Sequence, residues 1–69
     1  MADKDGKDDS QRSQQILTEL LRTGTVTVND LALRMGVTTT TIRRDLSDLE
    51  ERGLLRRVHG GAIPVETAL

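Results

Sequence analysis

The chain has 69 residues, of which 35% are hydrophobic, and it contains no aromatic residue and no cysteine. This length predicts one small domain with an aliphatic core, too small for a deep catalytic pocket, and the lack of thiols excludes disulfides and thiolate metal sites. No apolar run approaches the roughly 20 residues that span a bilayer, so we expect a cytoplasmic protein without a membrane partner. From the small size and the lack of thiols we also expect a non-enzymatic protein without metal or cofactor.

The charge is unevenly distributed, although the formal net charge is only −1. Residues 1–11 carry four aspartates and two lysines, whereas residues 12–69 carry eight arginines, no lysine and seven acidic residues. Arginine presents a planar set of donors that matches phosphate and guanine. The distribution therefore indicates that any nucleic-acid partner binds the later part of the chain.

The first part of the chain predicts a leader and a helix. Residues 1–9 are rich in Asp, Lys and Gly and lack apolar periodicity, which predicts a disordered acidic leader. A helix over 10–22 follows, with Ser10 as its N-cap, because Ile16, Leu17, Leu20 and Leu21 recur at helical spacing. Gly24 ends this helix, and residues 25–28 alternate Thr and Val, which predicts a very short strand.

Two further helices, over 29–35 and 38–52, are predicted on either side of Gly36, with Gly53 following the second. Asn29 and Thr38 are the predicted N-caps, and Gly36 supplies the backbone freedom that a sharp turn needs. The apolar residues at helical spacing are Leu31, Ala32 and Met35 on the first helix, and Ile42, Leu46 and Leu49 on the second. Two helices joined in this way form a helix-turn-helix, here over about 28–47.

The second of these helices has a polar and basic face. At 100° per residue, Thr40, Arg43, Arg44 and Ser47 fall largely opposite the apolar stripe. Hydroxyl and guanidinium groups are the chemistry that reaches phosphates and base edges in a major groove. We therefore predict DNA contacts from this face, with Thr39 among them.

Other interpretations of this helix remain open. Thr41 points more sideways, so a bond to the helix backbone is the alternative to a DNA contact. Arg44 and Asp48 are four residues apart, which also suits a solvated ion pair. Asp45 lies beside the apolar stripe, where we expect it to hold an arginine or backbone donors. Asp48, Glu50 and Glu51 would repel phosphates, so DNA must meet the N-terminal half of the helix.

The end of the chain predicts a β-hairpin over 54–65. Arg57 and His59 share strand parity and therefore one face, from which we predict contacts to the DNA backbone. The alternative for His59 is a structural hydrogen-bonding role. Gly60 and Gly61 supply positive φ in a tight turn, and a backbone N–H from Gly60 to phosphate is a second possibility.

Together these elements predict a mainly α winged helix-turn-helix over 10–65, with three helices and an antiparallel β-hairpin. Residues 66–69 form a tail. The core positions predicted from helical spacing are Ile16, Leu20, Leu31, Met35, Ile42, Leu46 and Leu49.

Two motifs resemble a known family, the DeoR-type bacterial transcriptional regulators. They are Thr41-Ile42-Arg43-Arg44-Asp45-Leu46 and Arg57-Val58-His59-Gly60-Gly61-Ala62. The resemblance implies a winged helix that binds a double-stranded DNA operator as the N-terminal domain of a longer repressor of sugar metabolism genes. It also implies a separate domain, absent from this chain, that senses a sugar phosphate and oligomerises. The chain is then a DNA-binding fragment, monomeric by itself, of an oligomeric parent.

The alternative is a winged helix that binds proteins and not DNA. Such a module requires an exposed apolar patch, and the sequence predicts none outside the core stripes. The arginine-rich face therefore favours DNA.

Overall fold

We describe residues 2–65 in a computed structural model, with side chains from residue 11 onwards; the predicted tail, 66–69, lies outside the described residues. The elements in chain order are α1 (Ala2–Thr23), β1 (Val26–Thr27), α2 (Val28–Met35), α3 (Thr39–Glu51), β2 (Arg56–Val58) and β3 (Gly61–Ile63). This architecture confirms the predicted winged helix-turn-helix. No helix in the described part of the chain combines the length and the apolar character needed to cross a membrane.

Helix α1 is longer than the sequence predicted. It begins at Ala2, so Ser10 lies inside the helix and is not its N-cap, and residues 2–9 are helical where a disordered leader was predicted. Once a helix has nucleated, each further residue adds a hydrogen bond at small cost, and no proline interrupts this stretch. Apolar periodicity, on which the prediction relied, cannot detect a helical extension of this kind.

Capping residues set where α2 and α3 begin. Thr38 caps α3 as predicted, since its hydroxyl accepts a hydrogen bond from the Thr41 amide at 3.1 Å. The predicted cap of α2, Asn29, is wrong: the helix begins one residue earlier, and the Thr27 hydroxyl accepts from the Asp30 amide at 3.2 Å. Thr27 already has the extended backbone that an N-cap requires, because it belongs to β1.

The turn between α2 and α3 depends on Gly36. Its φ of 68° lies in the left-handed region, and its amide donates to the Ala32 carbonyl. The Val37 amide bonds to the same carbonyl at 3.1 Å. These two bonds satisfy the last turn of α2 and redirect the chain into α3.

The core lies where the three helices meet the sheet. The buried hydrophobic residues are Ile16, Leu20, Val26, Val28, Leu31, Ala32, Ile42, Leu46, Leu49, Leu55 and Ala62. Six of the seven predicted core positions are among them; Met35 only packs against the cluster from a partly buried position. Leu21, which has core-like spacing, is 77% exposed, because α1 presents a narrower apolar stripe to its neighbours than the spacing suggested.

The wing is one part of a three-stranded antiparallel sheet with the order β1-β3-β2. Strand β1 pairs with β3 through Val26–Ala62 and Thr27–Gly61. Because β1 leads directly into α2, this pairing joins the wing to the start of the helix-turn-helix. The return strand β3 begins at Gly61, and His59 and Gly60 form the turn.

The two wing glycines have different roles, which corrects the prediction that both supply positive φ. Gly60 has φ of 78° in the turn, whereas Gly61 does not have positive φ. A Cβ on Gly61 would lie 2.1 Å from the Val26 carbonyl oxygen. Gly61 is therefore required for the close approach of β1 and β3.

Two ion pairs link α1 to the helix-turn-helix. The Arg12 guanidinium holds the Asp45 carboxylate through two contacts, Nε to Oδ2 and, at 3.2 Å, Nη2 to Oδ1. Glu19 pairs with Arg34 of α2 at 2.9 Å, and this hydrogen bond lowers the pKa of Glu19 and raises that of Arg34. Both pairs fix α1 against the two shorter helices.

Candidate nucleic-acid interface

The exposed face of α3 begins with its cap and carries two arginines. Thr40, Arg43 and Arg44 are exposed, and within residues 11–65 their side chains have no hydrogen-bond or ion-pair partner. The first turn of α3 contains no acidic residue. The N-terminal end of α3, where the helix dipole is positive, therefore lies next to two free guanidinium groups. This end of the helix is suited to bind an anion.

Thr39 and Thr41 are less available than Thr40. Both are half-buried, and the hydroxyl of Thr41 is hydrogen-bonded to that of Thr38 at 3.1 Å. The Thr41 hydroxyl thus serves the start of the helix in the free domain. Its bond is to the capping hydroxyl and not to the helix backbone, which was the predicted alternative.

The predicted alternative for Arg44, an ion pair with Asp48, does not form. Asp48 instead pairs with Arg52 at 3.1 Å, toward the C-terminal end of α3. This leaves the Arg44 guanidinium free and neutralises one of the three carboxylates that we expected to repel phosphate. The exposed arginines, Arg43 and Arg44, lie in the N-terminal half of α3, and the exposed carboxylates, Asp48, Glu50 and Glu51, lie in its C-terminal half.

A cleft of about 340 Å³ lies between α3 and the wing. Its lining includes Arg43 of α3, three residues of the wing (Arg57, His59 and Gly60) and Asn29 near the start of α2. The structure thus brings together four of the nine predicted contact residues. Guanidinium and imidazole N–H groups are donors whose chemistry suits an anion such as a phosphate.

The wing is hydrogen-bonded to α3 through Arg57. Its Nη1 donates to the Ser47 hydroxyl at 2.7 Å, and its backbone amide donates to Glu50 Oε2 at 3.0 Å. The sequence predicted Ser47 as a DNA contact and Glu50 as a group that repels DNA. In the structure both side chains hold the wing, and Ser47 is half-buried.

Two residues of this region were missed by the sequence analysis. Asn29 was predicted to cap a helix, but α2 begins at Val28, and Asn29 lines the cleft. Glu50 was judged by its charge alone. Its position three residues after Ser47, on the same side of a helix, is a signal that could have paired the two.

Asp45, beneath the exposed face, is the buried charged residue of the described region, with 8% of its surface accessible. Its pairing with Arg12 confirms the expectation that it holds an arginine. The pair fixes α3 on α1 and so sets how the exposed face is presented. No cluster of three or more His, Asp or Glu residues in the described part of the chain is arranged to hold a metal ion.

The sequence matches the family model of the DeoR-like helix-turn-helix domain over residues 12–68. It is 48% identical over 54 residues, 78% of this chain, to the putative aga operon transcriptional repressor of Escherichia coli O157:H7. It is 43% identical over 54 residues, again 78% of the chain, to the HTH-type transcriptional regulator UlaR of Shigella sonnei. It is 40% identical over 52 residues, 75% of the chain, to a lactose phosphotransferase system repressor of Streptococcus mutans.

The matched segments cover 20%, 22% and 21% of those three relatives. The chain therefore spans about a fifth of the length of the curated relatives that it matches. No solved structure gives a significant match.

Proposed function

We propose that this chain, which belongs to the family of DeoR-like helix-turn-helix domains, binds double-stranded operator DNA in a sequence-specific way for a transcriptional repressor. The observation that carries the proposal is the single basic face formed by the N-terminal half of α3 and the wing. Arg43 and Arg44 lie there without partners among the described side chains, and Arg57 and His59 line the same cleft as Arg43. Two of the three carboxylates in the C-terminal half of α3, those of Asp48 and Glu50, are engaged by Arg52 and by the wing.

In the proposed binding mode, α3 enters the major groove and the wing lies against the adjacent backbone. Thr40, Arg43 and Arg44 reach base edges or phosphates, since exposed hydroxyl and guanidinium groups make both kinds of contact. Thr39 and Thr41 lie at the start of the helix, next to the phosphates, and Gly60 offers a backbone amide at the tip of the wing. Repression follows from occlusion of a promoter.

The wider setting of the proposal is a regulator of sugar metabolism in the cytoplasm. It is supported by the names of relatives, which include repressors of an aga operon and of a lactose phosphotransferase system. We propose that a sugar phosphate relieves repression through a domain outside this chain, which also supplies oligomer contacts. The 69-residue chain itself is then monomeric, and sedimentation at micromolar concentration showing a tight dimer would contradict this.

The test begins with a selection, because the operator sequence is unknown. The 69-residue chain is incubated with a pool of randomised duplexes, and bound duplexes are amplified and sequenced. We expect one motif to be enriched, and a duplex carrying it to bind at least about tenfold more tightly than a shuffled duplex, since a single lost base contact costs about 1–3 kcal/mol.

Matched variants identify the surface of the protein that recognises the enriched DNA motif. A double substitution, Arg43→Glu with Arg44→Glu, should abolish enrichment, whereas Arg22→Glu at the end of α1 should preserve it. Circular dichroism of both variants verifies that they remain helical. Enrichment of no motif by the wild-type chain, or equal binding of selected and shuffled duplexes, refutes sequence-specific DNA binding.

A specific observation keeps the protein-binding alternative in the test. The sequence predicted no exposed apolar patch, but Leu21, Leu54 and Val65 are 77%, 44% and 39% exposed and line one groove with Leu17, Leu20 and Pro64. The prediction that no exposed apolar patch exists is therefore wrong, and this groove is the surface that a protein partner would contact. Failure of the selection would make a protein-binding module the better interpretation.

A further inference from the structure

The wing contributes few buried side chains of its own, so apolar packing alone does not fix its direction. All three residues of β2, Arg56, Arg57 and Val58, are exposed, and β2 is the last strand of the sheet. In the wing, Leu55 and Ala62 supply the buried apolar contacts. Polar contacts between β2 and α3 are therefore needed to set where the basic side chains of the wing lie relative to the helix.

Glu50 supplies one of these contacts at the open edge of the sheet. Arg57 is opposite Ala62 in the pairing of β2 with β3, and its amide bonds to Glu50 Oε2 at 3.0 Å. An unpaired edge amide is normally left to water or to another strand. Here a carboxylate from α3 occupies it, and because an ionised acceptor forms a stronger hydrogen bond than a neutral one, the strand is held at this residue.

Ser47 supplies the second contact, to the other end of the same residue. Its hydroxyl accepts from Arg57 Nη1 at 2.7 Å, which directs the guanidinium back across α3. Ser47 follows Arg43 by four residues and precedes Glu50 by three, so all three lie on one side of the helix. Arg57 consequently lines the same cleft as Arg43.

We infer that Ser47 and Glu50 are positioning residues, which hold Arg57 in the cleft that Arg43 also lines so that the wing and α3 engage DNA as one surface. The inference rests on the proposed function. A guanidinium has five N–H donors, so the bond to Ser47 leaves others for a phosphate. Because the long side chain is already ordered by folding, less rotamer freedom is lost when DNA binds.

The inference predicts the opposite sign to simple electrostatics for Glu50. Its carboxylate accepts from a neutral amide of the wing, so no cation neutralises its negative charge through this bond. If charge alone mattered, Glu50→Ala would strengthen DNA binding by removing a repulsion. If Glu50 positions Arg57, the same substitution weakens binding.

The experiment measures affinity for a duplex selected by the wild-type chain, by fluorescence anisotropy at several salt concentrations. We expect Glu50→Ala to weaken binding by about three- to tenfold, the range for one hydrogen bond, and Glu50→Gln to recover most of the loss through its amide oxygen. Glu51→Ala is the matched control. It removes the same charge from the next residue, which makes no hydrogen bond or ion pair with the wing within the described residues, and should bind equally or more tightly.

Two readouts separate positioning from a general loss of structure. Glu50→Ala and Ser47→Ala should each reduce the salt slope by about one, as Arg57→Ala does, because each removes the same phosphate contact. Adding Glu50→Ala to Arg57→Ala should cause no further loss, because the guanidinium that Glu50 positions is already gone. Thermal midpoints and circular dichroism verify folding, and Ser47→Ala tests the inference if Glu50→Ala does not fold.

Binding by Glu50→Ala as tight as that by Glu51→Ala overturns the inference, as does a full additional loss in the Arg57→Ala background. If Glu50→Ala is unfolded, an unchanged salt slope for Ser47→Ala overturns it. Either result leaves the proposed function intact, provided that the wild-type chain selects a duplex. If the wild-type chain selects none, the proposed function fails and this inference fails with it.

Discussion

Removal of Arg12 tests whether the buried ion pair holds α3 against α1. Arg12→Ala leaves the carboxylate of Asp45, a buried residue, without its guanidinium. Orphaning a buried charge costs about 3–5 kcal/mol, and we expect about 3 because the two side chains retain 18% and 10% of their exposure. A domain of this size has a total stability of only about 3–10 kcal/mol, so the variant should be close to unfolding.

The assay is thermal unfolding followed by circular dichroism. A loss of about 3 kcal/mol corresponds to a fall of about 12–24 °C in the midpoint of a domain this small. The matched control is Arg52→Ala, which removes the same residue type from an Arg–Asp pair whose side chains are 63% and 50% exposed. A surface pair is worth at most about 1 kcal/mol, so this control should shift the midpoint by only a few degrees.

A second substitution isolates the carboxylate from the other contacts of Arg12. Adding Asp45→Asn to Arg12→Ala removes the uncompensated charge and should restore part of the lost stability. Equal midpoint shifts for Arg12→Ala and Arg52→Ala would show that the pair does not matter for stability. A double variant no more stable than Arg12→Ala alone would show that the buried charge is not the cause.

Three further predictions concern the core, the α1–α2 ion pair and the sheet. Leu46→Ala, at a fully buried position of α3, should lower the free energy of unfolding by about 2–5 kcal/mol. Leu33→Ala, at a position 83% exposed, should change it by less than about 0.5 kcal/mol. Equal effects of the two substitutions would show that the core is not where the structure places it. The pKa of Glu19 is lowered from 4.5 in the folded domain, so its ion pair adds stability at pH values above 4.5, and this stability is lost as the pH falls through the pKa of the folded state. Glu19→Gln should therefore flatten the acid side of a plot of thermal midpoint against pH. An unchanged plot would exclude this pair as a contributor to stability. Gly61→Ala should lower the midpoint strongly because its Cβ would clash with the Val26 carbonyl, and amide exchange should show loss of protection at β1 and β3; normal protection there would contradict the close approach.

Much of the fold was predictable because helical periodicity records which residues are buried. Ile42, Leu46 and Leu49 are spaced for one face and are all buried, and the left-handed Gly36 lies at the predicted turn. Met35 has the same spacing but only partial burial, since it lies in the last turn of a short helix and packs at the edge of the cluster.

Other features could not be predicted because they depend on contacts between distant segments. The attachment of β1 to the wing joins Val26 to Ala62, and no local pattern in the sequence specifies that pairing. The arginine that Asp45 holds is Arg12, which is 33 residues away. Glu50 has the charge of a group that repels DNA, and its bond to the wing depends on how the hairpin folds back onto α3.

The most direct test of DNA reading is a titration of single arginine variants. The wild-type chain, Arg43→Ala, Arg44→Ala and Arg57→Ala are titrated with the selected duplex and with a shuffled duplex at several salt concentrations, and Arg22→Ala serves as the control away from the basic face. Arg43→Ala or Arg44→Ala should cost about 1–3 kcal/mol on the selected duplex and relax preference at one base pair. Arg57→Ala should weaken both duplexes alike and reduce the salt slope by about one. If all five proteins bind both duplexes equally, with the same salt slope, the basic face does not read DNA and the central claim is wrong.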